Sequence, residues 1–163
     1  MTERAPEAGW LHNVIALGYG SVFWVIATLG LPPSFVVLLQ TRGRQSGKVR
    51  TTILMAANHE GERYLVSVTG DEAQWVRNAR AANGDAFVRH GSRRPVRLEE
   101  VPVEQRAPML KAYLKWALGA RPLFEVSHKA PVVEFERIAS RHPVFRIIER
   151  RRQSKASGAT REA

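Results

Sequence analysis

Two apolar runs of strand length, Phe35–Leu39 and Ile53–Ala57, enclose Thr41-Arg42-Gly43-Arg44-Gln45-Ser46-Gly47-Lys48-Val49-Arg50-Thr51-Thr52, and this stretch limits what the chain can fold into more than any other. Strand, cationic turn, strand is the simplest reading of it. The glycines free the backbone to curl, four cationic side chains supply charge, and Ser46, Thr51 and Thr52 add hydroxyls beside exposed N–H groups. Such a loop suits a cluster of anionic oxygens, phosphate or carboxylate. The same residues would also serve as a solvated hairpin tip, and spacing alone does not separate the two. A Walker A loop is excluded: Gly43 and Gly47 stand one residue too close, and Val49 occupies the place of the magnesium-binding hydroxyl.

Charge sharpens the loop's meaning. The 163-residue chain has a formal net charge of +10, from 25 Lys+Arg against 15 Asp+Glu, which favours anionic partners without choosing among them. From Ala8 through His59 there is no Asp or Glu, so the loop cations need either an outside anion or carboxylates from distant sequence. There is no cysteine, and the five histidines show no pair at metal-ligand spacing; thiolate chemistry is excluded and no metal site is expected. A reducing, cytoplasmic compartment suits the missing cysteines.

Along the chain, residues 1–34 read as a polar arm followed by an apolar helix, 35–150 as the folded domain and 151–163 as a disordered basic tail. The uncharged run Val14–Leu31 suits a helix packed on the domain or lying at a membrane or subunit surface, and its length also touches the lower limit of a membrane span. Leu31-Pro32-Pro33-Ser34 should stop it. Tyr64–Thr69 is the next strand, and Asp71 is placed to cap a helix over Ala73–Ala82 that Asn83-Gly84 closes. Ala86–His90 and Pro95–Val101 alternate around Gly91–Arg94 as a second hairpin. Val103–Leu118 reads as an amphipathic helix with Met109, Leu110, Tyr113, Leu114 and Ala117 on one stripe, followed by a helix from Pro131 to Ser140 and a last strand, Val144–Ile148. About six short strands joined by tight turns, with three or four helices, imply an antiparallel α+β domain.

Taken together, Thr41-x-Gly43-Arg44-x-Ser46-Gly47-x-x-Arg50-Thr51 and Gly70-Asp71-x-x-x-Trp75-Val76-Arg77-Asn78 resemble the deazaflavin (F420)-dependent nitroreductase family, over about Phe35–Val101. The resemblance implies a split β-barrel related to FMN-binding barrels. It also implies the coenzyme F420, which carries a phosphate and a glutamate tail, and hydride transfer to a small electrophilic acceptor such as a quinone, an enone or a nitro compound. By the same resemblance Arg44, Gln45, Ser46, Gly47, Lys48, Arg50 and Thr51 would hold the phosphate and tail. Many relatives carry Lys or Arg where Gln45 stands, so that charged contact would be lost here or taken over by Lys48. Thr69 and Gly70 would offer backbone donors to the ring, and Trp75 and Asn78 would flank it; Trp75 is equally suited to packing on the barrel.

The proton donor is open among solvent, Thr69, Tyr113 and His128. A barrel holding FMN or haem is the nearest alternative. A nucleic-acid-binding module is another, motivated by Arg89, Arg93, Arg94 and Arg97, but Phe87 is the only aromatic among them. A peripheral contact of the first helix with the inner face of a membrane, or a homodimer through it, completes the expectations.

Overall fold

The computed structural model describes residues 20–150. Readings of Met1–Tyr19 and of the tail from Arg151 therefore lie outside the described residues. Six strands, β1 (Val36–Arg42), β2 (Val49–His59), β3 (Glu62–Val66), β4 (Asp85–His90), β5 (Ser92–Glu100) and β6 (Val144–Glu149), close into an antiparallel barrel in the order β1-β2-β3-β6-β5-β4. Helix α1 covers 20–29, α2 Gln74–Ala81, α3 Ala107–Trp116 and α4 Val132–Glu136.

The pleat explains why β1 reads as continuously apolar. Val37 and Leu39 point into the barrel, packing with Leu65, Val96, Leu98 and Phe145. Val36 and Leu38 point outward, where Phe23, Ile26 and Ala27 of α1 cover them. A strand buried on both faces has no room for polar alternation. α2 plugs the barrel with Trp75, Val76 and Ala79, and the Trp75 ring meets Phe145 edge-on at 5.4 Å. A further apolar layer lies outside β2 and β3, where Tyr64 and Val66 pack with Leu110 and Leu114 of α3 and Phe135 of α4.

Several boundaries differ from the sequence reading. β2 begins at Val49, ahead of its apolar run, because Arg42↔Val49, Thr41↔Arg50 and Gln40↔Thr51 continue the ladder with polar residues. The cationic turn thus shrinks to 43–48. α1 ends before the prolines: Gly30, at φ +71°, takes the left-handed position, and the Leu31 amide donates to the Ile26 carbonyl at 3.0 Å. At this end the Gly91 amide donates to the Ala27 carbonyl, and a Cβ on Gly30 would stand 2.9 Å from the Gly91 Cα. Two glycines let helix and hairpin backbones touch. Asp71 does not cap α2; it lies in a preceding 3-10 turn and pairs with Arg80 at 2.7 Å. α3 and α4 are shorter than expected because their flanks, 103–105, 118–123 and 139–141, wind as 3-10 turns.

Candidate active site

The turn after β1 is a built structure and not a loose tip. The Gly43 amide donates to the Lys48 carbonyl, and the Gly47 amide to the Gly43 carbonyl, each at 2.8 Å. A Cβ on Gly43 would press on Ser46 Oγ at 2.9 Å and on the Lys48 carbonyl at 3.2 Å, so the tight curl requires glycine there. Ser46 Oγ accepts from the Lys48 amide at 3.3 Å.

Asn78, on the buried face of α2, ties this turn to the helix. Its Oδ1 accepts from the Arg44 amide and from Arg44 Nη1, both at 3.3 Å, and its Nδ2 donates to Thr41 Oγ1 at 3.4 Å. Gln74 Oε1 takes a second Arg44 hydrogen bond, at 2.9 Å. Arg44 is therefore aimed by two neutral carboxamides, which orient a guanidinium without neutralising it. Arg42, Arg44, Lys48 and Arg50 form no ion pair among the described residues, whereas Arg80, Arg94, Arg106, Arg141 and Arg146 all do. Among the described residues, no carboxylate has come from distant sequence to satisfy the loop.

Two cavities lie beside it. One, of about 420 Å³, is lined by Arg44, Gln45, Ser46, Arg50, Thr51 and Asn78. The other, of about 510 Å³, is walled chiefly by apolar side chains, among them Phe23, Ile53, Met55 and Val68, with Thr69 and Tyr113 as polar points. Thr52, Gln74 and Trp75 line both, so the cavities lie side by side. The Tyr113 phenol has no hydrogen-bond partner among the described residues, and burial pushes its pKa up to about 12. It enters neutral chemistry as a protonated donor.

The expected residues are thus divided. Arg44, Gln45, Ser46, Arg50, Thr51, Trp75 and Asn78 are brought together; Gly47 and Lys48 belong to the turn but line neither cavity. Thr69 and Tyr113 share the apolar cavity, with Gly70 next in the chain, packed against the Arg141 carbonyl. His128 lines neither cavity. Gln74 and Phe23 were not singled out as site residues from sequence, whereas Thr52 was, for its hydroxyl; a lone Gln at a helix start gives no periodic signal that would have found it. Of the arginines behind the nucleic-acid reading, Arg94 pairs with Glu149, Arg93 stacks 3.4 Å over the Phe87 ring, and Arg89 binds the carbonyls of Gly91 and Thr28. Among the described residues no cluster of three or more His, Asp or Glu could hold a metal, and no helix is long and apolar enough to cross a membrane.

A closed six-stranded barrel with flanking helices is the architecture of the split-barrel flavin and deazaflavin reductases. The family model of the F420H(2)-dependent quinone reductases matches residues 20–118, more than half of the chain, and the chain belongs to that family. It is accordingly an oxidoreductase that uses reduced coenzyme F420 and passes hydride to a small electrophilic acceptor. No curated protein matches it. Among solved structures, a chain described as a domain-swapped dimer aligns at 19% identity over 83% of this chain and 98% of its own, with a TM-score of 0.52. A conserved hypothetical protein of Mycobacterium tuberculosis aligns at 15% identity over 78% of this chain and 79% of its own, at 0.50. A structure described as the F420-H2 dependent reductase FDR-A aligns at 25% identity over 69% of this chain and 93% of its own, at 0.47. The residues present fit the coenzyme: a cationic cavity with no ion-paired acid among the described residues, beside an apolar one, matches a ligand with an anionic tail and a planar ring.

Proposed function

We propose that Arg44, Ser46, Arg50 and Thr51 hold the phosphate and glutamate tail of F420, that Trp75 and the Thr69-Gly70 backbone seat its ring, and that the remaining apolar cavity takes a quinone. The observation that carries this is the shared wall of the two cavities at Thr52, Gln74 and Trp75. Charge-assisted hydrogen bonds contribute about 1.5–3 kcal/mol each, so two arginines and two hydroxyls supply most of the anchoring. When bound, the reduced coenzyme supplies a hydride.

What the protein adds is orientation, exclusion of water and one proton. The carbonyl oxygen of the quinone gains negative charge as the ring accepts hydride, and the Tyr113 hydroxyl is the donor we assign to it. Its support is placement: protonated, unpartnered and in the apolar cavity. Solvent then restores the phenol's proton. Met55, Val68 and Phe23 keep the surroundings dry, which strengthens that hydrogen bond.

The outward face of α1, with Val22, Val25 and Leu29 exposed, supports a first helix that meets either a second copy or a membrane face. The test of the functional reading is optical: reoxidation of reduced F420 against quinones, enones and nitroaromatics. Quinone turnover by the wild type and its loss with Tyr113→Phe at unchanged coenzyme affinity are expected; unchanged turnover removes Tyr113 from the chemistry.

A further inference from the structure

Toward the end of the barrel away from the cationic turn, its inner surface changes character. Leu65, Val88 and Val96 pack inside the barrel, with Ile147 against them. Two residues further along each strand in that direction stand Arg63, His90, Arg94 and Glu149, which the period of the strand places on the same inward face. The registers Val88↔Arg94, His90↔Ser92 and Val96↔Glu149 agree with this. Together with Ser92, these four surround a cavity of about 130 Å³ whose apolar floor is Val88, Val96 and Ile147.

The charges at this mouth do not cancel. Arg94 Nη1 holds both oxygens of Glu149, at 3.1 and 3.2 Å, so that acid is engaged. Arg63 is half-buried and pairs with no acid among the described residues; its Nη2 donates to the Ser34 carbonyl at 3.1 Å, which fixes the guanidinium at the cavity. Burial draws its pKa down, and the attraction of Glu149 does not make up the difference. Other acids of the surrounding strands are occupied as well: Glu62 and Glu99 by Arg146, Asp85 by Arg150. His90 is held at the wall by its Nδ1, which lies 2.8 Å from the Val36 carbonyl and therefore carries the ring proton.

A half-buried cation without a counter-ion, above an apolar floor, suits a carboxylate carried on a small apolar body. The volume fits that size, since an apolar cavity of about 150 Å³ accepts benzene. Charge sets the valence: one guanidinium is unpaired, so one negative charge balances it, and a phosphate dianion would also face Glu149. We propose that this end of the barrel is a binding site for a small monocarboxylate with an apolar body about the size of a benzene ring. Its carboxylate is bound by the fork of Arg63 with the Ser92 hydroxyl as a further donor, and its body lies on Val88, Val96 and Ile147. The site shares no lining residue with the two cavities beside the cationic turn, and it stands whether or not those hold the coenzyme.

The test is calorimetric titration of the full chain with benzoate, in the presence and absence of F420. Wild type binds benzoate equally in both, and binds benzyl alcohol and inorganic phosphate at least about tenfold more weakly. Arg63→Gln weakens benzoate binding about tenfold or more and leaves F420 affinity unchanged. Glu149→Gln, at an exposed position, removes the one negative charge of the mouth and releases Arg94, so benzoate binds more tightly; this arm decides the question even if Arg63→Gln does not fold. Absence of wild-type binding, unchanged binding in a folded Arg63→Gln, a Glu149→Gln variant that fails to tighten it, or phosphate preferred over benzoate each overturns the proposal. Displacement of benzoate by F420, or loss of its binding in Arg50→Ala, does so too, by assigning the anion to the loop cavity. Failure of F420 itself to bind removes the coenzyme reading and leaves the benzoate results to stand on their own.

Discussion

Asn78 and Arg44 are joined twice, backbone and side chain, through one carboxamide oxygen at 3.3 Å to each. Asn78 thus acts on the loop before anything binds: it sets the direction of a guanidinium that no acid among the described residues neutralises. A helix inside the barrel determines the shape of a turn at its rim.

Asn78→Leu keeps the branched shape of the side chain in a larger volume and removes all three bonds, leaving the Arg44 amide and the Thr41 hydroxyl without this partner. Stability should fall by about 1–3 kcal/mol, measured by urea unfolding. Coenzyme affinity should fall as well, because Arg44 loses one of the two groups that aim it. Unchanged affinity in a destabilised variant would limit Asn78 to a packing role.

Arg50→Ala behaves differently. Arg50 is exposed, lines the cationic cavity and makes no ion pair among the described residues, so its loss costs the fold almost nothing. Coenzyme binding should weaken at least tenfold, about 1.4 kcal/mol or more, with the melting temperature nearly unchanged. Titration followed by tryptophan fluorescence checks the first, calorimetry the second. Lys48→Ala, which removes a cation that lines neither cavity, should weaken binding less than Arg50→Ala does.

The difference between those two cations shows how far the sequence carries. That the loop is cationic and acid-free is legible, since both are properties of neighbours along the chain. Which cations converge is not, because it depends on the β1–β2 register: Thr41↔Arg50 puts Arg50 on the face of Thr41 and Leu39, and Arg42↔Val49 puts Arg42 on the other. Six strands could be read from alternation and turn residues. The early start of β2 could not, because polar residues continue a ladder without any apolar signal. Asn78 was singled out by its motif, but its partner, 34 residues earlier, becomes visible only when α2 is seated against the turn.

Arg106 tests the fold independently of the site. Almost fully buried, it donates to the Val101 carbonyl at 2.8 Å, to the Ala139 carbonyl at 3.2 Å and to Glu100 at 3.0 Å, joining the end of β5, the start of α3 and the turn before β6. Arg106→Ala strands two carbonyls, while the partly exposed Glu100 keeps Arg80 at 2.6 Å, and should cost about 2–5 kcal/mol in denaturant unfolding.

Tyr113 links stability to pH in a direction that can be checked. Burial raises its pKa from 10 to about 12. Below pH 10 both the folded and the unfolded chain keep the phenol protonated, and it contributes no pH dependence. Between 10 and 12 the unfolded chain releases the proton and the folded one holds it, so stability falls as pH rises through that window, by up to about 3 kcal/mol. Tyr113→Phe should remove this part of the alkaline loss while leaving stability at pH 7 nearly unchanged, since no hydrogen bond to the protein is lost. In the same variant the quinone reductase rate should drop at every pH from 6 to about 9. A wild-type rate that itself broke within that range would place the titrating donor elsewhere, because a phenol held near 12 cannot lose its proton there.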